Sequence, residues 1–191
     1  MPRPPQHRAA ARGNEVHDAA EKYVKGEIDE LAGELEKFSG SIERLREQYL
    51  EGIVEVEQNW GFTINWEPCS WKDKALWCRM KLDVLLWDGD DSAYVIDYKT
   101  GKKFGNEIKH TDQGLSYAIG AMMRYPQLQT IQVEFWYTDQ GETLKKLFNR
   151  NQLQLLVPHL EERAHGMTSC QTFEPSPSVH TCRFCDHREM G

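Results

Sequence analysis

Val95-Ile96-Asp97-Tyr98-Lys99, at the centre of Arg79–Tyr117, decides how the rest of the chain is read. An apolar run that ends in Asp-Tyr-Lys and then Thr100-Gly101 predicts a strand delivering two charged side chains to its end. Strand side chains alternate faces, so Asp97 and Lys99 point the same way. Upstream, Leu76 to Trp87 alternates well. Leu76, Cys78, Met80, Leu82, Val84 and Leu86 fall on one face, and Arg79, Lys81 and Asp83 on the other. Asp83 is thus a mid-strand carboxylate, where strands disfavour Asp unless a partner compensates it. Asp88-Gly89-Asp90-Asp91 predicts a tight turn, which makes the two strands antiparallel neighbours and sets Asp83 roughly opposite Asp97. Turn geometry fixes that register, and the sequence leaves it open.

Working outward, Thr100-Gly101-Lys102-Lys103 reads as a basic loop. A helix is expected from Thr111 or Asp112 to Arg124, with Gln113 and Tyr117 on one face through their i,i+4 spacing. Ile131–Thr138 and Thr143–Phe148, joined by residues 139–142, predict a hairpin, and Asn151–His165 a last helix burying Leu153, Leu156 and Leu160. Towards the N-terminus, Asn14–Lys25 predicts a helix capped by Asn14 and closed by Gly26. Glu27–Phe38 and Ser41–Glu51 predict two more, with a break at Ser39-Gly40. Ile53–Glu57 and Phe62–Trp66 read as a hairpin around Gln58-Asn59-Trp60-Gly61, and Pro68–Ala75 as a turn region. The fold class is α/β (α+β), a central mixed sheet flanked by helices. Residues 1–12 are expected to form a flexible lead and 13–165 the main domain, with a helical part (13–51) and a sheet–helix core (52–165). Residues 166–191 form a loop-like Cys/His tail.

Composition narrows the function. The chain has 191 residues, 39% of them hydrophobic, and no run long enough for a membrane span or a signal peptide. Five cysteines, three of them after residue 169, do not make a disulfide framework, so a reducing cytoplasm is expected (the host's, if the gene is phage-borne). A net charge of −7 argues against a general nucleic-acid coat protein. It leaves room for a nucleic-acid enzyme whose carboxylates bind metal and whose local basic patches guide substrate. Candidate patches are Lys99, Lys102, Lys103 and Lys109, then Lys145, Lys146 and Arg150. A solvated surface explains either patch equally well.

Two carboxylates from neighbouring strands, with a backbone carbonyl such as that of Tyr98, form an oxygen-rich site suited to Mg²⁺ or Mn²⁺. Lys99 beside them can orient or deprotonate an attacking water, or neutralise developing charge. Alone, Asp-x-Lys is as well explained by a strand-end ion pair. The ordered set Gly13-x-x-x-His17, Asp83, Asp97-Tyr98-Lys99 and Gln113-x-x-x-Tyr117 resembles the PD-(D/E)XK nuclease superfamily. Within it the set resembles the RecB-like branch of helicase-linked nucleases, CRISPR adaptation nucleases and phage recombination exonucleases. The resemblance implies a restriction-endonuclease-like core and metal ligands His17, Asp83, Asp97 and the Tyr98 carbonyl. It also implies catalytic roles for Lys99, Asp83 and Asp97. Gln113 and Tyr117 would place the DNA backbone, with Lys102 and Lys103 as further substrate-binding candidates. DNA is the implied substrate, exonuclease action the implied mode, and a recombination or single-strand-binding protein the implied partner.

The set departs from the branch in two places. Asp97 stands where Glu is commoner, and Arg79-Met80-Lys81-Leu82-Asp83 lacks the usual Gly before the Asp. Many relatives hold an iron–sulfur cluster through one early and three late cysteines. With no Cys before Cys69 and none after Cys185, that four-Cys cluster cannot be assembled. His180, Cys182, Cys185 and His187, or Cys170 in place of one His, are zinc-ligand types, though tightly spaced for one tetrahedral site. Two non-enzymatic alternatives stand beside the nuclease: a nucleic-acid-binding or assembly module that keeps the fold, and a zinc-stabilised interaction domain.

Overall fold

The computed structural model describes residues 8–172, 174, 177 and 178. A helix α1 (Arg8–Val24), a 3-10 turn (Gly33–Phe38) and a helix α2 (Ser39–Leu50) precede three strands: β1 (Val54–Phe62), β2 (Pro68–Cys69) and β3 (Cys78–Asp88). Strand β4 (Ser92–Lys99), helix α3 (Glu107–Arg124), strands β5 (Thr130–Tyr137) and β6 (Glu142–Asn149) and helix α4 (Arg150–Ser169) complete it. The sheet order is β2-β1-β3-β4-β5-β6. Only β4 and β5 run parallel. A parallel pair needs a crossover, which α3 supplies, and this carries the chain from the end of β4 across the sheet. The architecture is the α/β class expected, a mixed sheet with helices on both faces.

Alternation along the strands decides which helix covers which face. Val54, Val56, Val84, Ile96, Tyr98 and Trp136 join Val16, Ala20, Leu35, Phe38, Ile42 and Leu45 in one buried cluster under α1, the 3-10 turn and α2. The odd-numbered Val133 and Phe135 point the other way, where Gly114 of α3 lies against them. Two compact units divide the chain, 1–157 and 158–191, and the strands, α1, α2 and α3 all belong to the first. Among the described residues no helix is long and apolar enough to cross a membrane.

The hairpin turn after β3, the β5–β6 hairpin and the helical crossover follow the sequence pattern. Other local readings do not, and α3 itself begins at Glu107, ahead of the expected Thr111 or Asp112. Helix α1 starts at or before Arg8, so Asn14 lies inside it rather than capping it. Only Gly33–Phe38 of the expected second helix forms a helical turn, because Ala32 takes an extended conformation. Residues 58–61 are no turn: β1 runs straight through them, and Trp60 is fully buried. Gly61 is there for close approach, since a Cβ on it would lie 2.9 Å from the carbonyl oxygens of both Cys69 and Ser70. Helix α4 continues to Ser169 and buries Leu153, while Leu156 and Leu160 are only half-buried.

The expected single face of β3 is also split. Val84 belongs to the α1–α2 cluster, yet Met80 packs against Gly120 of α3. The change falls where the β1–β3 ladder pairs Val56 with Val84 and Gln58 with Leu82 but skips Glu57 and Asp83. Glu57 has a φ of 51°, left-handed backbone that non-glycine residues seldom adopt.

Candidate active site

Asp83 and Asp97 meet across the β3–β4 hairpin. Its ladder pairs Asp88 with Ser92 and continues to Val84 with Ile96, a register whose next step sets Asp83 opposite Asp97. There the backbone pairing stops and the Asp83 side chain takes over: Oδ2 accepts the Tyr98 backbone N–H at 2.8 Å. The mid-strand Asp is thus compensated by replacing a ladder bond with a charge-assisted one. Its other oxygen, Oδ1, lies 2.9 Å from His17 Nδ1, which α1 delivers from beyond the hairpin. Burial opposes a charge on His17, but the Asp83 hydrogen bond and the charges of Asp83 and Asp97 outweigh it. Its pKa is raised.

Asp97 is 3% exposed and gripped on one oxygen. Tyr117 OH donates to Oδ1 at 3.0 Å and Gln113 Nε2 at 3.2 Å, and Gln113 Nε2 also lies 2.6 Å from Tyr117 OH. The i,i+4 spacing puts both residues on one face of α3, and there both side chains reach the same carboxylate, a contact the spacing alone did not predict. Lys99 Nζ lies 2.6 Å from the second oxygen, Oδ2, as an ion pair. Among the described residues that ammonium is the one group that reaches the buried Oδ2. Burial first, and then the charge of Asp83, push the Asp97 carboxyl above the usual range; Lys99 and Tyr117 pull it back. Lys99 is held from below, with Nζ 5.5 Å above the centre of the Phe135 ring.

These groups line one cleft of about 520 Å³, together with Asn14, Asp18, Glu21, Glu57 and Lys81. Five carboxylates face two lysines there, a balance that favours a bound cation. Ligand atoms of His17, Glu57 and Asp83 all lie within 4.8 Å of one another, a spacing one divalent ion could bridge. Five cleft-lining residues were not site candidates from the sequence (Asn14, Asp18, Glu21, Glu57 and Lys81), and of these Glu57 is the one grouped with His17 and Asp83. The sequence pattern makes Glu57 the last residue of a short strand; in the structure it has left-handed backbone where the β1–β3 ladder skips it and Asp83, and it lines the cleft. There it pairs with Lys81.

The remaining candidates separate from this cluster. Lys102 is exposed, and Lys103 is tied to Glu142 at 3.1 Å; neither lines the cleft. Of the second basic patch, Lys145 pairs with the buried Glu134, and Arg150 donates to the Leu128 and Tyr125 carbonyls. Cys170 is exposed, and its thiol donates to the Thr172 carbonyl. His180, Cys182, Cys185 and His187 lie outside the described residues.

No curated protein matches the chain. The crystal structure of SSO0001 is similar over 80% of this chain and 68% of its own, with 16% identity and a TM-score of 0.40. A family model for the PD-(D/E)XK nuclease superfamily matches residues 2–190. Nuclease activity that depends on divalent metal is typical of that superfamily. With this match over almost its whole length, the chain belongs to the PD-(D/E)XK nuclease superfamily.

Proposed function

We propose that the protein is a Mg²⁺- or Mn²⁺-dependent deoxyribonuclease of the RecB-like branch that degrades DNA from its ends during recombination, repair or phage DNA processing. The observation that carries this reading is the joint grip on one buried carboxylate. Asp97 is held by Tyr117 and Gln113 on one oxygen and faces Lys99 with the other, directly across from Asp83. A purely structural ion pair has no need of a second carboxylate in a low-dielectric pocket, where like charges oppose each other. A site that receives a cation does need one.

The donor set fits such an ion. Asp97 Oδ2 is buried with only the Lys99 ammonium against it, Asp83 and His17 are already oriented, and Glu57 adds a third carboxylate within reach. Hard oxygen donors with one imidazole suit Mg²⁺ or Mn²⁺, the imidazole favouring Mn²⁺. His17, Asp83, Asp97 and the Tyr98 carbonyl would hold it, and when bound it supplies Lewis-acid polarisation of the scissile phosphodiester. The chain does the rest. Tyr117 and Gln113 fix the Asp97 carboxylate, and the Asp83–Tyr98 bond fixes the backbone between Asp97 and Lys99. Lys99 orients the attacking water and neutralises charge gathering on the phosphate oxygens.

End-labelled linear DNA and closed circular DNA, each incubated with Mg²⁺ or Mn²⁺, test the mode. Products from the linear form alone support an exonuclease, and the label reports polarity. Cutting of the circle replaces that reading with an endonuclease. Metal-independent DNA binding without cleavage under either ion would leave the non-catalytic module as the better description.

A further inference from the structure

The cleft poses an electrostatic problem that its own residues do not solve. Five carboxylates line it, and the whole chain carries a net charge of −7, so a polyanion approaching the site is repelled until it meets positive charge. That charge lies on the segment joining the two halves of the site. Between Lys99 at the end of β4 and Gln113 on α3, both in the cleft, residues 99–109 carry four lysines (Lys99, Lys102, Lys103, Lys109) against one acid, Glu107. Lys102 and Lys109 are exposed, and among the described residues no ion pair is formed by either.

The same segment holds the most exposed large apolar side chain among the described residues. Phe104 is 89% exposed, and Ile108, four residues on, is 82% exposed. Neither packs the core, so neither is explained by folding. Phe104 is nevertheless not on a slack loop. Its neighbour Lys103 is clamped twice to the β5–β6 turn, by its N–H to Gln140 Oε1 at 2.7 Å and by its ammonium to Glu142. On the other side the Gly105 N–H donates to Glu107 Oε2 at 2.8 Å, Asn106 Nδ2 donates to the Lys102 carbonyl, and Gly105 turns the chain with a φ of 86°. At the start of the segment Thr100 lies against α1, where a Cβ on Gly13 would stand 3.3 Å from its hydroxyl. Five residues of chain from Lys99 reach at most about 18 Å, a few nucleotides along a strand.

We propose that Phe104, backed by Ile108 and flanked by Lys102 and Lys109, is a stacking platform for an unpaired base of the DNA strand entering the cleft. The inference rests on the deoxyribonuclease reading and adds to it a substrate class: DNA with a single-stranded or frayed end. An aromatic face accepts any base, which suits an enzyme that proceeds along a strand regardless of sequence, while the adjacent ammonium groups hold the phosphates on either side. A basic-flanked phenyl ring on a tethered backbone suits a nucleotide better than an apolar protein surface, because burying Lys102 and Lys109 against such a surface would strand two charges.

The test uses the full chain and single-stranded oligonucleotides carrying 2-aminopurine, whose fluorescence falls on stacking, in the presence of chelator so that nothing is cut. The parent protein is expected to quench the probe. Phe104→Ala should lose the quench and weaken binding about tenfold, and Phe104→Trp should restore both. The preference of the parent for a base-bearing over an abasic tail should shrink in Phe104→Ala. Equal quenching by parent and Phe104→Ala would overturn the proposal, as would a binding loss of the same size on abasic tails. Unchanged DNA binding with altered self-association in sedimentation would assign Phe104 to a protein contact and overturn it too. Cleavage is scored separately with Mg²⁺ or Mn²⁺. A parent that quenches through Phe104 but never cuts refutes the nuclease reading, whereas one that cuts with a Phe104-independent signal refutes the platform alone.

Discussion

The two sides of the cleft are built on opposite terms. On the α3 side, Asp97 is buried and its Oδ1 held by donors from Gln113 and Tyr117, with Lys99 resting above Phe135. On the α1 side, His17 is a quarter exposed, its partner Asp83 faces it with a single oxygen, and Glu57 sits on a left-handed backbone with Lys81 as its neighbour. One side is fixed before anything binds; the other is held by fewer bonds and by strain. Preorganised charge is what lowers a barrier, whereas a looser set of donors suits a cation that must enter and settle. The difference sets a preorganised carboxylate and lysine on one side of the cleft against a looser set of donors on the other.

Substitutions can break that division, the largest effect coming from the rigid side. Asp97→Asn is expected to reduce cleavage by on the order of a thousandfold. The protein should remain folded by circular dichroism, because the neutral amide removes a disfavoured buried charge. Comparable activity in this variant would mean that Asp97 is only a structural ion pair. On the looser side, Glu57→Gln should weaken metal affinity about tenfold, read by titrating Mn²⁺ against activity. Glu57→Gly should do the same while stabilising the fold by about 1 kcal/mol in urea, since it removes the left-handed strain together with the ligand. Loss of stability in that variant would show that Glu57 holds the fold rather than the ion.

Smaller changes sharpen the contrast. Tyr117→Phe removes one of the two donors to Asp97 Oδ1 and should slow cleavage about fivefold, the worth of a single hydrogen bond. His110 tests the floor beneath Lys99. It is stacked on Phe135 and lies 2.6 Å from Tyr137 OH, and burial, then the charges of Lys99 and Lys109, lower its pKa to about 4. A histidine depressed below its unfolded value of about 6.5 contributes stability above that pH and loses it as pH falls towards 4. The stability advantage of the parent over His110→Phe should therefore shrink between pH 7 and pH 5 in urea unfolding. An unchanged gap would contradict the buried, neutral histidine.

What the sequence showed and what it hid follow from the range of the interactions involved. The β3–β4 hairpin was legible because Asp88-Gly89-Asp90-Asp91 is a local turn signal, and counting from it allowed Asp83 to lie roughly opposite Asp97, while the register itself came from the ladder. Gln113 and Tyr117 were legible because four residues make one helical turn, whatever the helix packs against. Gly61 was misread as a turn because its real constraint, the carbonyls of Cys69 and Ser70, lies on another strand. Helical spacing over residues 27–38 was overridden at Ala32 and Gly33. Glu57 was invisible for the same reason: no residue near it signals a left-handed backbone, which the pairing of β1 with β3 imposes. Local chemistry was readable, and features set by a neighbouring strand were not.

The central claim is that this cleft hydrolyses DNA through Lys99 and its carboxylates with a divalent ion. It is tested most directly by following linear DNA with the parent protein and with Lys99→Ala, each in Mn²⁺ and in chelator, after confirming that both are folded. Cleavage by the parent in Mn²⁺ alone, with Lys99→Ala no faster than the chelated control, is the predicted result. Cleavage by Lys99→Ala at the parent's rate would contradict the account.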